Sequence, residues 1–304
     1  MIAIDLGSNT IRVLQYDCKT KKSLYGYQKV VKTADNLAST GFIDDKAVKR
    51  VIDAINEAKQ NIDFSLDDVM AVTTEAIRRA SNNKEVLAKI KLQTGVSFTI
   101  ISGEEEARLT LLAVSNRLQK LNYAFMDFVV VDIGGGSTEI TFNLKDKVIS
   151  KSFSIGIVTM AQSYDNLEAI KQNIPKEMRE IKMFCDEIYQ NIKKPKNFIA
   201  TAGTPTTVAS MKQGMVYNTY DASKINGTLL QKSDLDFYLN KLLSFSSKQR
   251  EIAVGTGRED LVTAGIIIYK ELFTILGFEE CIVVDDGLRE GVVLDGCEKN
   301  NQSK

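Results

Sequence analysis

The residues best suited to chemistry lie in two segments that share one pattern, an apolar run ending in Asp-x-Gly followed by small polar residues. The first is IAIDLGSNTIRVLQYD from Ile2, and the second is VVVDIGGGSTEITFNL from Val129. Small residues at a strand end let backbone N–H groups approach an anion with no Cβ in the way. Gly7, Ser8, Asn9 and Thr10 are the candidate phosphate donors of one loop, and Gly134, Gly135, Gly136, Ser137 and Thr138 those of the other. Three consecutive glycines cost conformational entropy that a plain β-turn does not call for, so close approach of a ligand explains them better. Asp5 and Asp132 end the two strands, where carboxylates beside phosphate loops suit Mg²⁺, held directly or through water. Either aspartate alone reads equally well as a turn former. Glu139 joins them or faces solvent. Arg12 and Arg78 divide evenly between gripping phosphate with a guanidinium fork and an ordinary surface or ion-pair role.

Water attacking a bound phosphate needs a base, and the chain contains no histidine. Histidine triads, His-ligated zinc and phosphohistidine intermediates are excluded, which leaves a carboxylate as the default base. In SGEEEARL, Ser102 and Glu105 have capping-box spacing, so the cap is expected to occupy Glu105. Glu104 can pair with Arg108 at i,i+4. Glu106 is left without a local structural duty and is the candidate base; the plain alternative is three glutamates solvating a helix start.

These residues must be positioned by strands and hairpins. Apolar residues alternate after each loop (Ile11, Val13; Ile140, Phe142, Leu144), so each Asp-Gly turn opens a β-hairpin where a Rossmann turn would enter a helix. Neither loop matches G-x-G-x-x-G or the Walker sequence. The repeat, spaced by about one domain length, implies a duplicated α/β fold whose loops face each other across a central interdomain cleft. Further elements follow from periodicity: a strand at 23–32, helices at 45–60 and 84–94, a strand at 70–74, and a helix from Ser102. Past the second hairpin come a charged helical stretch at 167–192, the strand and turn FIATAG, and helices from 206, at 233–243 and at 260–276. The strand CIVVDDG and a last helix at 287–296 complete the pattern, with a frayed polar tail from Glu298. The glycine turn ATAGTPTTVASM is weak evidence for a further ligand contact.

Composition narrows the setting. The 304 residues, 44% of them apolar, suffice for two cores. Lys plus Arg and Asp plus Glu number 39 each, so no bulk field favours duplex nucleic acid or an anionic membrane. Local clusters at Lys19, Lys21, Lys22 and at Lys193, Lys194, Lys196 read mainly as solvated surface, with guidance of a polyanion as the sharper alternative. Cys18, Cys185, Cys281 and Cys297 are far apart in sequence, form no C-x-x-C pair, and suit small buried side chains in a reducing compartment. An early strand and the lack of a long apolar run point to a cytoplasmic protein.

Taken together, IDLGSNTIRVL, TTEAIRRASN, ISGEEEARL, VVDIGGGSTEI, FSIG, TAGTPTTVA, GREDLVTAGIIIY and VVDDGLREG resemble the exopolyphosphatase and guanosine pentaphosphate phosphohydrolase family, within the actin-like, sugar kinase and Hsp70 ATPase superfamily. The resemblance implies two ribonuclease H-like domains, about 1–122 and 123–287, with a terminal helix at about 288–304 packing back on the first. It implies Glu106 aligning and deprotonating water, Asp132 assisting that water or holding metal, Asp5 in the matching place, and Arg78 clamping phosphates. Mg²⁺ is the implied cofactor, polyphosphate or guanosine penta- and tetraphosphate the implied partners, and a homodimer is compatible. The chain is similar to the short form, without a C-terminal histidine/aspartate-type helical domain, which puts processivity on long chains in question. A noncatalytic ppGpp or polyphosphate sensor and an actin-like ATPase or kinase are the competing readings.

Overall fold

The computed structural model describes residues 1–65, 67–123, 127–201 and 203–302, without the side chains of 301 and 302. Ala202 in the third glycine turn and residues 124–126 ahead of the second repeat lie outside the described residues. The chain divides into two compact units, one formed by 1–113 with 286–304 and the other by 114–285.

The first unit contains β1 (Ile2–Leu6), β2 (Thr10–Asp17), β3 (Lys22–Val30), β4 (Val69–Thr73) and β5 (Phe98–Ile100) in the order β3-β2-β1-β4-β5. The hairpin strands β1, β2 and β3 are antiparallel, and β4 and β5 continue the sheet in parallel with β1. The second unit contains β6 (Phe128–Ile133), β7 (Thr138–Leu144), β8 (Lys147–Phe153), β9 (Asn197–Thr201), β10 (Thr228–Gln231) and β11 (Glu280–Val284). Its order, β10-β11-β9-β6-β7-β8, repeats the first sheet with β10 added at the edge. Both are ribonuclease H-like sheets of an α/β protein, with the twin hairpins in matching places.

Alternation assigns each side chain to a face. Ile2, Ile4 and Leu6 enter one core with Val48, Ile52 and Ile55 of the amphipathic helix Asp45–Ala58. Met1 and Ala3 face the other way, into a cluster with Leu14, Tyr16, Leu288, Val292 and Val293. The helix Leu288–Gln302 therefore covers the second face of the first sheet. Gly291 permits this approach, because a Cβ there would lie 2.0 Å from the Leu109 carbonyl oxygen. In the second unit Val129, Val131 and Ile133 share a core with Phe142, Phe198 and the long apolar helix Glu259–Leu276.

The stretch 167–192 is helical as expected, in two helices, Leu167–Glu177 and Arg179–Asn191, which meet at Met178. Other expectations are corrected. The last helix continues through Gln302 where a frayed tail was expected from Glu298. Helices Ile157–Ser163 and Ser247–Val254 and strand β10 carry short, weakly periodic signals and were not anticipated. The cysteines differ most: Cys18 and Cys297 form a disulfide with Cα atoms 5.5 Å apart. Sequence distance failed as a guide because packing of the last helix returns Cys297 to the end of β2. Cys185 and Cys281 are free and buried as expected. Burial pushes the Cys185 thiol up to about 12 and raises that of Cys281 as well.

Candidate functional site

The two loops close in the same way. Gly7 N–H donates to the Thr10 carbonyl at 3.0 Å, and Gly134 N–H donates to the Ser137 carbonyl at 2.9 Å, at equal offsets from Asp5 and Asp132. In both, the loop carbonyls are held from behind by the segment that follows the third strand. Val31 and Lys32 N–H groups donate to the Asn9 carbonyl at 2.9 Å, and Ala34 N–H to the Ser8 carbonyl at 2.8 Å. Ile157 and Val158 N–H groups donate to the Gly134 and Gly135 carbonyls at 3.0 and 2.8 Å. A trans peptide sets its N–H opposite its C=O, so the N–H groups of Asn9 and Thr10, and of Gly135 and Gly136, turn away from this scaffold. That arrangement has the form of a backbone nest, the kind of concavity that can receive an anion.

The glycines follow from the scaffold's nearness. A Cβ on Gly156 would stand 2.5 Å from the Gly135 carbonyl carbon and oxygen and 2.6 Å from the Gly136 nitrogen. Backbone lies directly on backbone there. Thr138 is fully buried, and its hydroxyl donates to the Ile155 carbonyl at 2.5 Å, which pins the same junction. Gly156 was not among the expected site residues; the signal was the lone glycine ending Ser-Ile-Gly after β8.

The carboxylates differ between the repeats. In β1–β2, Asp5 is the register partner of Arg12, and their side chains meet at 3.5 Å. Asp5 shares its face with Met1 and Ala3, so the start of the last helix lies on its side of the sheet. Burial pushes the Asp5 carboxyl above the usual range, against the opposing pull of the Arg12 and Arg289 guanidinium groups. Arg289 donates to Glu290 at 2.8 Å, and Glu290 accepts the Gly287 N–H at 3.0 Å, which caps the helix. Burial alone would raise the Glu290 carboxyl, but Arg289 and the backbone donors bring it below its ordinary value. Arg289 and Glu290 were not expected here, because only the fold returns them to β1.

In β6–β7 the register partner of Asp132 is Glu139, and both are buried. Ser152, opposite Glu139 on β8, donates its hydroxyl to Glu139 Oε1 at 2.6 Å. Thr201 at the end of β9 aligns with Asp132 on the other side. Beneath them the Tyr269 hydroxyl donates to the Thr201 and Val131 carbonyls at 3.1 and 3.3 Å, and burial raises its phenol well above the ordinary value. Two adjacent buried carboxylates fit Mg²⁺, which prefers oxygen ligands, keeps several waters and needs few protein ligands. Among the described residues no group of three or more cysteine, aspartate or glutamate side chains forms a fuller cage.

Glu106 is buried near the start of helix Gly103–Lys120. Ser102 caps that helix, its hydroxyl accepting the Glu105 N–H at 3.2 Å. The expected reciprocal half of the capping box is absent from this arrangement. Glu105 pairs instead with Arg108 through contacts of 2.7 and 2.8 Å, the role expected of Glu104. Arg108 also reaches Asp295 of the last helix at 2.8 Å, which draws it toward Glu105. Arg78 donates to Glu75 at 2.5 Å and to the Ile101 carbonyl at 2.6 Å. Its guanidinium thus braces the turn leading to Ser102, and with 27% of the side chain exposed it retains an open side. Within the first unit the structure joins Asp5 with Arg12; within the second it joins Asp132, Glu139 and the glycine loop.

A family model described as the Ppx/GppA phosphatase family matches residues 22–300. The bifunctional 3-dehydroquinate synthase/phosphatase of Fusobacterium nucleatum is 27% identical over 97% of this chain, which spans only 46% of that relative. Exopolyphosphatase 1 of Mycobacterium tuberculosis is 25% identical over 96% of this chain and 86% of its own length. The crystal structure of the Aquifex aeolicus Ppx/GppA family member is similar at 29% identity with a TM-score of 0.74, covering 99% of this chain and 98% of that one. An exopolyphosphatase structure from Cytophaga hutchinsonii shares the fold at 22% identity with a TM-score of 0.85, covering 98% and 97%. Among the described residues no helix is long and apolar enough to cross a membrane.

Proposed function

The chain belongs to the Ppx/GppA phosphatase family, and from that premise we propose that it hydrolyses the terminal phosphoanhydride of inorganic polyphosphate, with conversion of pppGpp to ppGpp as a second activity. The observation that carries this reading is the paired anion nest: two loops of the same closure, each with its carbonyls held behind and its N–H groups turned outward. The mycobacterial relatives named exopolyphosphatase support the substrate class.

Asn9, Thr10, Gly135 and Gly136 N–H groups bind non-bridging phosphate oxygens, and Arg12, held in place by Asp5, supplies positive charge beside the first loop. Arg78 fixes the turn before the helix carrying Glu106 and offers its open side to phosphate. Glu106 orients a water and accepts its proton as the water oxygen attacks the terminal phosphorus. The P–O bond to the bridging oxygen breaks, releasing orthophosphate and a chain shorter by one unit. Asp132 and Glu139 would hold Mg²⁺, Glu139 oriented by Ser152. When bound, that ion neutralises charge on the phosphate oxygens.

Phosphate release from polyphosphate and from pppGpp, measured side by side with Mg²⁺ present and absent, tests the proposal. Release from either substrate is expected. Binding without any release points to a sensor, and release from ATP alone to an ATPase.

A further inference from the structure

We propose that Cys18 and Cys297 are a reversible thiol–disulfide site that locks the end of the last helix to the first sheet. The two cysteines are 279 positions apart, yet they are joined covalently. Cys18 sits just past β2, in the turn closed by Asp17 accepting from Lys19 N–H at 2.9 Å and Thr20 Oγ1 at 2.7 Å. Cys297 lies on the last helix, among the residues that cover the sheet.

The contacts on either side of Cys297 are unequal, and that asymmetry gives the site a consequence. Toward the helix start, Leu288, Val292 and Val293 are buried, Gly291 packs on the Leu109 carbonyl, and Asp295 holds Arg108. Burial on that scale survives loss of one covalent bond. Beyond Cys297 the side chains of Glu298, Lys299 and Asn300 are exposed. Asn300 holds Asp68 through an exposed hydrogen bond of 2.8 Å, and Lys299 pairs with Asp295 one turn back on the same helix. Such surface contacts hold weakly. Opening the disulfide therefore frees the last turn of the helix, beyond Cys297, while the part before it stays docked.

Chemistry at the turn favours exchange. Cys18 is half-buried in an exposed turn while Cys297 is buried, so the Cys18 Sγ is the sulfur that a reductant reaches. A dithiol reductant reacts by thiolate attack on Cys18 Sγ; the Sγ–Sγ bond breaks and Cys297 leaves as a thiolate that takes a proton. The second thiolate of the reductant then attacks the mixed disulfide, closing a cyclic disulfide and releasing Cys18. Two electrons and two protons pass to the protein. Cys185 and Cys281 take no part, since burial raises both thiols and leaves them inert.

The test needs no knowledge of activity. Air-purified full chain is alkylated with iodoacetamide in denaturant before and after dithiothreitol, and intact mass counts the labels. The chain has four cysteines, of which two are free, so labelling of two before reduction and all four after is expected; four at the outset overturns the proposal. Hydrogen exchange is then followed on the native protein. Reduction should speed exchange of amides in 298–302 by about tenfold or more, with those of 288–297 little changed. Equal exchange in both redox states overturns the lock. Cys297→Ser and Cys18→Ser should each reproduce the fast exchange without reductant, and Cys18→Ser, at an exposed turn, remains informative if the helix variant folds poorly.

Discussion

Asp132 and Glu139 stand opposite one another across the β6–β7 ladder, at the register position where the first repeat pairs Asp5 with Arg12. One change of residue type at one ladder position gives the two nests different electrostatics. The first presents a guanidinium beside its loop, and the second presents two carboxylates. Like charges directly opposite on a ladder are destabilising unless something positive offsets them, which is the role proposed above for Mg²⁺.

Glu139→Gln is accordingly expected to raise the Mg²⁺ concentration needed for half-maximal phosphate release by about 100-fold, with Ser152→Ala shifting it by about 10-fold through loss of the orienting hydroxyl. Magnesium titrations on folded variants check this. An unchanged half-saturation point in Glu139→Gln counts against cation binding at this pair.

Glu106→Gln keeps shape and burial while removing the proton acceptor. Turnover is expected to fall by roughly 10²–10⁴ with KM nearly unchanged. Steady-state phosphate release, alongside binding of a nonhydrolysable polyphosphate analogue, separates this from a folding defect. A variant that releases phosphate at the original rate removes Glu106 from the chemistry.

Gly156→Ala places a methyl 2.5 Å from the Gly135 carbonyl, so the second nest must move. Displacement by a fraction of an ångström to 1 Å is expected to cost about 10²-fold in turnover, with about 1–3 kcal/mol of stability lost to overpacking. Gly26→Ala is the control, since nothing lies within 4 Å of a Cβ there. Parallel urea unfolding and rate measurements distinguish the two.

Arg108 links Glu105 to Asp295 and gives an acid-limb prediction. The hydrogen bond from Arg108 draws the Glu105 carboxyl below its ordinary value. Burial would raise Asp295, but the bonds from Lys299 and Arg108 outweigh it and leave that carboxyl low as well. Groups with depressed folded values stabilise fully above their unfolded pKa, near 4, and lose that contribution as pH falls through the folded values. Because Glu105 and Arg108 are more than a third exposed, solvent screening limits the loss in Arg108→Ala to about 1 kcal/mol at pH 7. The gap from the parent should shrink toward zero near pH 2, as urea midpoints at both pH values will show.

What could be read from residues alone divides along physical lines. The hairpins, the glycine loops and the long helices were legible because period-two alternation, Asp-Gly turns and amphipathic spacing are local signals. Glu106 stood out by elimination, although two steps of that elimination were wrong: the cap does not occupy the Glu105 side chain, and Arg108 chose Glu105 over Glu104 because Asp295, 187 residues away in sequence, pulls the guanidinium aside. Gly156 was passed over because its duty is to admit a backbone from 20 residues earlier. Arg289, Glu290 and the Cys18–Cys297 bond depend on the chain's return to its first sheet, which no local spacing announces.

That return also sets an order of events during synthesis. The first unit is assembled from residues 1–113 and 286–304, with the whole of the second unit between them. At ribosomal rates of about 5–20 residues per second, this face of β1 and β2 lacks the cover of the last helix for on the order of 10–30 s while the intervening residues are made. Met1, Ala3 and Leu14 thus wait longest for their last-helix partners, while the second unit, contiguous in sequence, is free to mature first.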